Sequence, residues 1–415
     1  MIQDGKQIFR FDTFGDEAFW GDTIQLHRAL EGTKFGGVAT PDLGIDGVSP
    51  ATALAVGLKV DLKALPGSLV RALKHGKVDL NDPATTLALL QRNAVVGVTG
   101  FFNPDGSLRS MGIQCALCHS IVDNSFSAPG IPPGNIGRRL DGFANRDLNV
   151  GVIVSLAPNL QPVADLLSLG GTPITVTAVR DVLRSWGPGK FDAELFLDEK
   201  AVNPNTGNSA ATLIPPAFGL AGVNLHTWTG WGSATHWNAF VANLEMHGKG
   251  TFFDQRLNDA TQFPVAAAAG FGNIRTDPDL ITSKLAALHF YQLAIPAPTP
   301  PKDSFDKAAA ARGEGVFKSK GDCARCHVPP LYTEPGWNLH TAAEIGLDDF
   351  QANRSPARGY RTSPLKGLFT HTKGGFFHDG RFPTLFDVVD HYNAFFSLGL
   401  TDQEKSDLVE FLKSL

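Results

Sequence analysis

The four cysteines of this chain fall in two copies of one five-residue pattern, Cys115-Ala-Leu-Cys118-His119 and Cys323-Ala-Arg-Cys326-His327. Thiols at that spacing can add across the two vinyl groups of a haem, and the histidine that follows at once then becomes the proximal iron ligand. C-x-x-C alone also suits half of a zinc site or a redox-active dithiol. A zinc ion uniting the pairs would leave both trailing histidines without a role, and the pairs sit in separate halves of the chain. The pattern therefore predicts two covalently bound c-type haems, with His119 and His327 as iron ligands.

The elements that must hold two such groups need a sizeable chain. At 415 residues, 43% hydrophobic and 19% charged, this one has the composition of a globular protein of two or three domains. A net charge of −5 and the lack of a long basic run give no support for nucleic-acid binding. Apolar runs such as 87–98 are short and interrupted by Gln91, Arg92 and Asn93, so no membrane span is expected. Haem attachment of this kind is completed outside the bacterial cytoplasm. The expected address is the periplasm, with an export signal removed, because Met1-Ile-Gln-Asp-Gly-Lys lacks a basic start and an apolar core.

Periodicity predicts a mainly α fold: two c-type cytochrome domains with long loops and an N-terminal helical extension over residues 1–100. In that extension, 16–30 and 66–74 read as amphipathic helices, and Pro83 opens a third. A turn at Asn103-Pro-Asp-Gly leads into the first, expanded cytochrome domain, 101–294, whose stretch 124–222 is rich in Gly and Pro and reads mostly as loops. Residues 281–293 read as helix. The stiff connector Ile295-Pro-Ala-Pro-Thr-Pro-Pro precedes the second domain, 303–415. There Asp303 or Ser304 is placed to cap a helix through 308–317. Thr401-Asp-Gln-Glu404 forms a capping box for a last helix that buries Leu408, Val409, Phe411, Leu412 and Leu415. Thr212-Leu-Ile-Pro-Pro-Ala-Phe-Gly-Leu with Trp228-Thr-Gly weakly repeats as Arg361-Thr-Ser-Pro-Leu-Lys-Gly-Leu with His378-Asp-Gly.

With Ala311-Arg-Gly, Tyr360-Arg-Thr-Ser-Pro-Leu-Lys-Gly-Leu, Phe377-His-Asp-Gly-Arg-Phe-Pro-Thr-Leu and Leu400-Thr-Asp-Gln-Glu-Lys around its second motif, the chain resembles the bacterial diheme cytochrome c peroxidase and MauG superfamily, and more distantly the rubber oxygenases. The similarity is strongest over 309–415. The resemblance implies that an oxidant, hydrogen peroxide or dioxygen, meets the N-terminal haem, and that electrons pass through the C-terminal haem with a tryptophan between the two. Trp228 matches that tryptophan, with Trp-Thr-Gly in place of the family's Trp-Asp-Gly-Arg; Trp231 and Trp237 read as pocket walls. Peroxide heterolysis needs a residue that moves a proton between oxygens. Asn243-Leu-Glu245-Met246 resembles the family's Asn-Pro-x-Glu-Met, one residue shorter and without the proline, and makes Glu245 the candidate, with His236 and His247 as alternatives.

Coordination of the irons separates the possible functions, since an open sixth position allows chemistry and two strong ligands leave only electron transfer. Many relatives close the first iron with a loop histidine, yet no His or Met lies between His119 and His226. An open first iron is therefore expected. At the second iron the family's methionine position falls on Tyr392, as in MauG-like proteins, ahead of His378 and then His391. A phenolate would favour ferric iron. The resemblance also implies a small electron-donor protein or a protein substrate, a monomer or homodimer, and a calcium ion between domains as a further candidate. Two other function classes stand beside the peroxidase: a haem oxygenase that cleaves a hydrocarbon double bond, and a plain diheme electron carrier.

Overall fold

The computed structural model describes residues 1–415, and helices dominate it; its short strands pair only two by two. No helix is long and apolar enough to cross a membrane. The first helix, Ile2–Phe11, lies along Leu285–Leu293, and Gly5 makes that approach possible: a Cβ there would sit 1.9 Å from the Ala287 carbonyl oxygen. Phe9 meets Tyr291 edge to face at 5.6 Å between centroids. Beside them the buried Asp141 carboxylate accepts from Arg10 Nε at 2.6 Å, from Ser120 Oγ at 2.9 Å and from the Tyr291 hydroxyl. The loop that carries Asp141 then clasps the first C-x-x-C-H turn. Gly142 N–H donates to the His119 carbonyl and Asn145 N–H to the Cys118 carbonyl, both at 2.8 Å.

Residues 16–30, expected as one helix, are two pieces. A wide π-helical segment, Ala18–Thr23, ends before Gln25, whose φ of +60° breaks the path, and Leu26–Glu31 starts afresh. Tertiary contacts override the local periodicity here, because Trp20 and Ile24 must both enter the core. Gly67–Lys74 and Pro83–Leu90 form as their proline and Asp82 start signals imply. The turn at Asn103 joins a hairpin of Val98–Phe102 and Leu108–Ile113.

The stretch 124–222, expected as mostly loop, contains four short helices, Val150–Ser155, Gln161–Ser168, Val176–Ser185 and Leu195–Asp198. The first and third are capped by Asn149 and Thr175. Their apolar faces enter the largest core cluster, which runs from Trp20 to Ile214. Residues 1–100 thus share one core with the segment that follows.

Beyond the connector, Lys307–Lys318 crosses Asp402–Ser414 closely at Gly313, where a Cβ would stand 2.0 Å from the Asp407 carbonyl oxygen. The helix cap is Asp306, which accepts from Ala308 and Ala309 N–H at 2.8 and 2.9 Å, rather than Asp303 or Ser304. The Thr401–Glu404 capping box forms as expected. Phe317, Leu385, Val389, Leu400, Leu408, Phe411 and Leu412 make a small separate core, while Val409 and Leu415 are only partly covered. A buried ion cluster fastens this segment to the rest. Arg354 holds Asp198 through Nε and Nη2 at 2.8 and 2.9 Å and Asp192 through Nη1 at 3.0 Å.

Candidate functional site

Around the first motif the chain leaves a cavity of about 1570 Å³, counting its mouth, lined by Cys115, Cys118, His119, Trp228 and Glu245 among others. Its wall is mostly apolar, as a flat hydrophobic macrocycle requires. Burial pushes both thiols up to about 12, so neither resembles an activated redox thiolate. Burial pulls His119 down to about 4, the Pro215 backbone partly opposing it. The ring is therefore neutral at physiological pH, the form that ligates iron.

Glu245 ends a wide π-helical turn, Val241–Glu245, that continues the helix Ala234–Phe240. Such a turn inserts one residue and re-aims the side chains beyond it. Asn243 pins it by donating from Nδ2 to the carbonyls of Ala239 and Thr251 at 2.8 and 3.2 Å. On its other side Trp20 Nε1 donates to the Met246 carbonyl at 2.8 Å, and His247, at φ +59°, stacks on Phe19 with centroids 3.6 Å apart. Glu245 Oε2 is buried with no hydrogen-bond partner. Burial, then the charges of Glu194 and Asp192, raise this carboxyl well above its ordinary range, which favours its protonated form.

The other expected residues divide. Trp228 lines the cavity; its indole donates to the Leu213 carbonyl at 2.7 Å, and its own carbonyl accepts from Arg361 N–H at 3.1 Å. His226, Trp237 and Met246 also line the wall. His236 does not: its Nε2 lies 3.3 Å from Asp254 Oδ2, and Trp231 donates to the same oxygen at 2.9 Å, off the cavity. Burial works against the Asp254 charge, yet bonds from Arg256, His236 and Trp231 hold its carboxyl far below the usual range. His236 thus stands beside that carboxylate and away from the cavity wall. Phe14, Trp20, Glu194 and Gln351 join the wall without any motif to announce them, and Arg361 joins it from the Tyr360-Arg-Thr-Ser-Pro segment.

Around the second motif, His327 Nδ1 lies 3.3 Å from the Tyr332 carbonyl, a contact that fixes the ring's orientation. Burial pulls this ring down to about 4 and pushes the Cys323 thiol up to about 11. Tyr392 lies beside the thiol pair: burial, then the charges of Cys326 and Cys323, raise its phenol. His378 is buried against Tyr360, rings stacked at 5.2 Å, with Asp379, Arg381 and Asp348 as its charged surroundings. His391 Nε2 faces the Ile345 carbonyl at 3.3 Å. Cys326, Glu334 and His340 converge, but a thiol and an imidazole are not calcium donors.

Two neutral imidazoles, each directly following a C-x-x-C thiol pair, fit the attachment chemistry of a c-type haem at both motifs. No family model matches the chain. The methylamine utilization protein MauG of Methylorubrum extorquens is 25% identical over 236 residues, 48% of this chain and 63% of that protein. Cytochrome-c peroxidase IdrP1 of Denitromonas iodatirespirans is 28% identical over 222 residues, 41% of this chain and 58% of that one. The chain thus spans about three-fifths of the length of these curated relatives. Among solved structures, a hydrazine synthase of Kuenenia stuttgartiensis aligns with 50% of this chain and 74% of its own at 20% identity and TM-score 0.30. A MauG-like protein associated with microbial copper homeostasis aligns with 54% and 79% at 18% identity and TM-score 0.33. The curated relatives, together with the paired motifs, support a MauG/diheme-peroxidase-like superfamily for this chain.

Proposed function

We propose that the chain is a periplasmic diheme c-type oxidoreductase of the peroxidase/MauG type, in which peroxide meets the haem of His119 and electrons enter through the haem of His327. Residues 101–294 would form the domain of the first haem and 303–415 that of the second. The observation that carries this reading is Glu245: an unpartnered, buried carboxyl on the wall that also holds His119, with its proton affinity raised by that burial. Bound there, a haem supplies an iron that accepts the oxidising equivalents of peroxide.

The chain's own part is proton handling and insulation. Glu245 Oε2 holds a proton in a site sheltered from bulk water, ready to give it to the departing oxygen and to take one from the oxygen that stays. Glu194 keeps that proton in place, because a second buried carboxyl disfavours ionisation of the first. Trp228, hydrogen-bonded at both its indole and its carbonyl, would serve as the bridging aromatic residue, its ring held in place on the wall of the first cavity. Tyr392 would ligate the second iron and favour its ferric state.

Electronic absorption and electron paramagnetic resonance of the oxidised and reduced protein, with and without cyanide, carbon monoxide and peroxide, test the reading. One high-spin haem that binds these ligands, beside one low-spin haem, is expected. Two low-spin haems inert in both oxidation states would leave an electron carrier. Stable dioxygen binding without peroxide consumption would move the protein to the oxygenase class.

A further inference from the structure

Where residues 101–294 meet 303–415, two guanidinium groups lack a carboxylate partner. Arg146 follows the Asn145 that clasps the first motif, but its side chain reaches the opposite segment. A Cβ at Gly374 would lie 3.7 Å from its Nη1, and its charge bears on buried His371. His371 stacks on Phe376 at 5.9 Å, and Phe376 packs into the cluster that includes Cys323. Arg146 is 9% exposed, and its Nε and Nη1 are shielded from water without a bond.

Arg361 makes the reverse crossing. It comes from the second segment, donates from Nη1 to the Leu225 carbonyl and lines the cavity of Cys115, Cys118 and His119, with its Nε shielded and unbonded. Burial pulls both arginines down to about 10, and no carboxylate offsets it. The neighbouring acids are engaged elsewhere: Asp147 with Lys59 and Lys373, Asp379 with Arg381, and Asp192 and Asp198 with Arg354. A buried cation without a counter-charge is strongly disfavoured. A carboxylate matches the planar fork of a guanidinium in two parallel hydrogen bonds, and each haem brings two propionate carboxylates.

We propose that Arg146 anchors a propionate of the haem attached at Cys323 and Cys326, and that Arg361 anchors a propionate of the haem attached at Cys115 and Cys118. Each segment thereby neutralises the prosthetic group of the other. The inference rests on the two-haem reading above. Its consequence is electrostatic: a fixed cation near a haem favours the reduced state, so its loss lowers that haem's potential.

The test is a redox titration of the holoprotein and of Arg146→Gln and Arg361→Gln, followed by absorption and paramagnetic resonance, with signals assigned through a Cys323→Ala/Cys326→Ala variant. Arg146→Gln is expected to lower the reduced-to-oxidised ratio of the His327 haem about tenfold at fixed potential, about 59 mV for one electron, and to leave the His119 haem in place. Arg361→Gln should do the reverse. Lysine at either position should restore most of the shift, and if a glutamine variant does not load haem, its lysine counterpart should show a smaller shift on the same, crossed haem. Unmoved potentials, or shifts confined to the haem of the arginine's own segment, overturn the assignment. The two failures are separable by haem counting with alkaline pyridine. Fewer than two haems per wild-type chain sinks the two-haem reading, whereas two haems with unmoved potentials sinks only the arginine assignment.

Discussion

The two C-x-x-C-H motifs share a sequence pattern and little else. The first lies under the largest core cluster, its thiols shielded, with an unpartnered carboxyl across the cavity. The second belongs to a seven-residue core near the surface, with Tyr392 beside its thiols and Val328, the residue after its histidine, 41% exposed. One attachment chemistry can thus be set to different work by what faces it. A secluded cavity with a buried carboxyl suits bond-breaking, and a motif set in a small aromatic core suits electron entry. The physical difference lies in the opposite wall and in the amount of protein between the site and water.

The harshest way to break this comparison is to remove either motif's thiols. Cys115→Ala/Cys118→Ala and Cys323→Ala/Cys326→Ala are each expected to halve the covalent haem seen by mass spectrometry. The first should also abolish reaction with peroxide, while the second should leave cyanide binding and block electron delivery. Next is Glu245→Gln, expected to slow the peroxide reaction by about 10²–10⁴-fold with cyanide affinity nearly unchanged. Equal rates in stopped-flow would remove Glu245 from the mechanism. Arg354→Met leaves Asp192 and Asp198 as uncompensated buried charges and should destabilise the protein by about 3–5 kcal/mol in denaturant unfolding.

Tyr392→Phe sharpens the contrast from the other side. The spectrum of the second haem should change and its potential rise, with the first unaffected; an unaltered spectrum would transfer the ligand role to His378. The mildest effect is on pH dependence. Burial raises Glu194 from 4.5 to about 7, against the pull of Arg354. The folded state then holds a proton that the unfolded chain releases earlier, so the contribution of this group to stability is fullest below 4.5 and falls as pH rises through 7. Glu194→Gln should flatten that slope in thermal unfolding measured across the interval.

Features that depend on neighbours in sequence were legible beforehand. Pro83 behind Asp82, the Thr401–Glu404 box and the two attachment motifs each act within a few residues. Others depend on distant partners and were not legible. Gln25 breaks an amphipathic pattern because Trp20 must reach the Met246 carbonyl, 226 residues away. His236 looked like a pocket base until Asp254 claimed it. Glu194 and Gln351 carry no motif at all, and only the chain path brings them to Glu245.

By itself, then, the sequence carried the two C-x-x-C-H motifs, the proline-rich connector at 295–301 and a mainly helical pattern. Those depend on covalent spacing and local backbone preference, which a short segment carries with it. Only the tertiary structure decided which side chains are deprived of water, because desolvation is a property of everything packed around a group. That deprivation raises the proton affinity of Glu245, keeps His119 and His327 neutral, and leaves Arg146 and Arg361 without counter-charges at the seam.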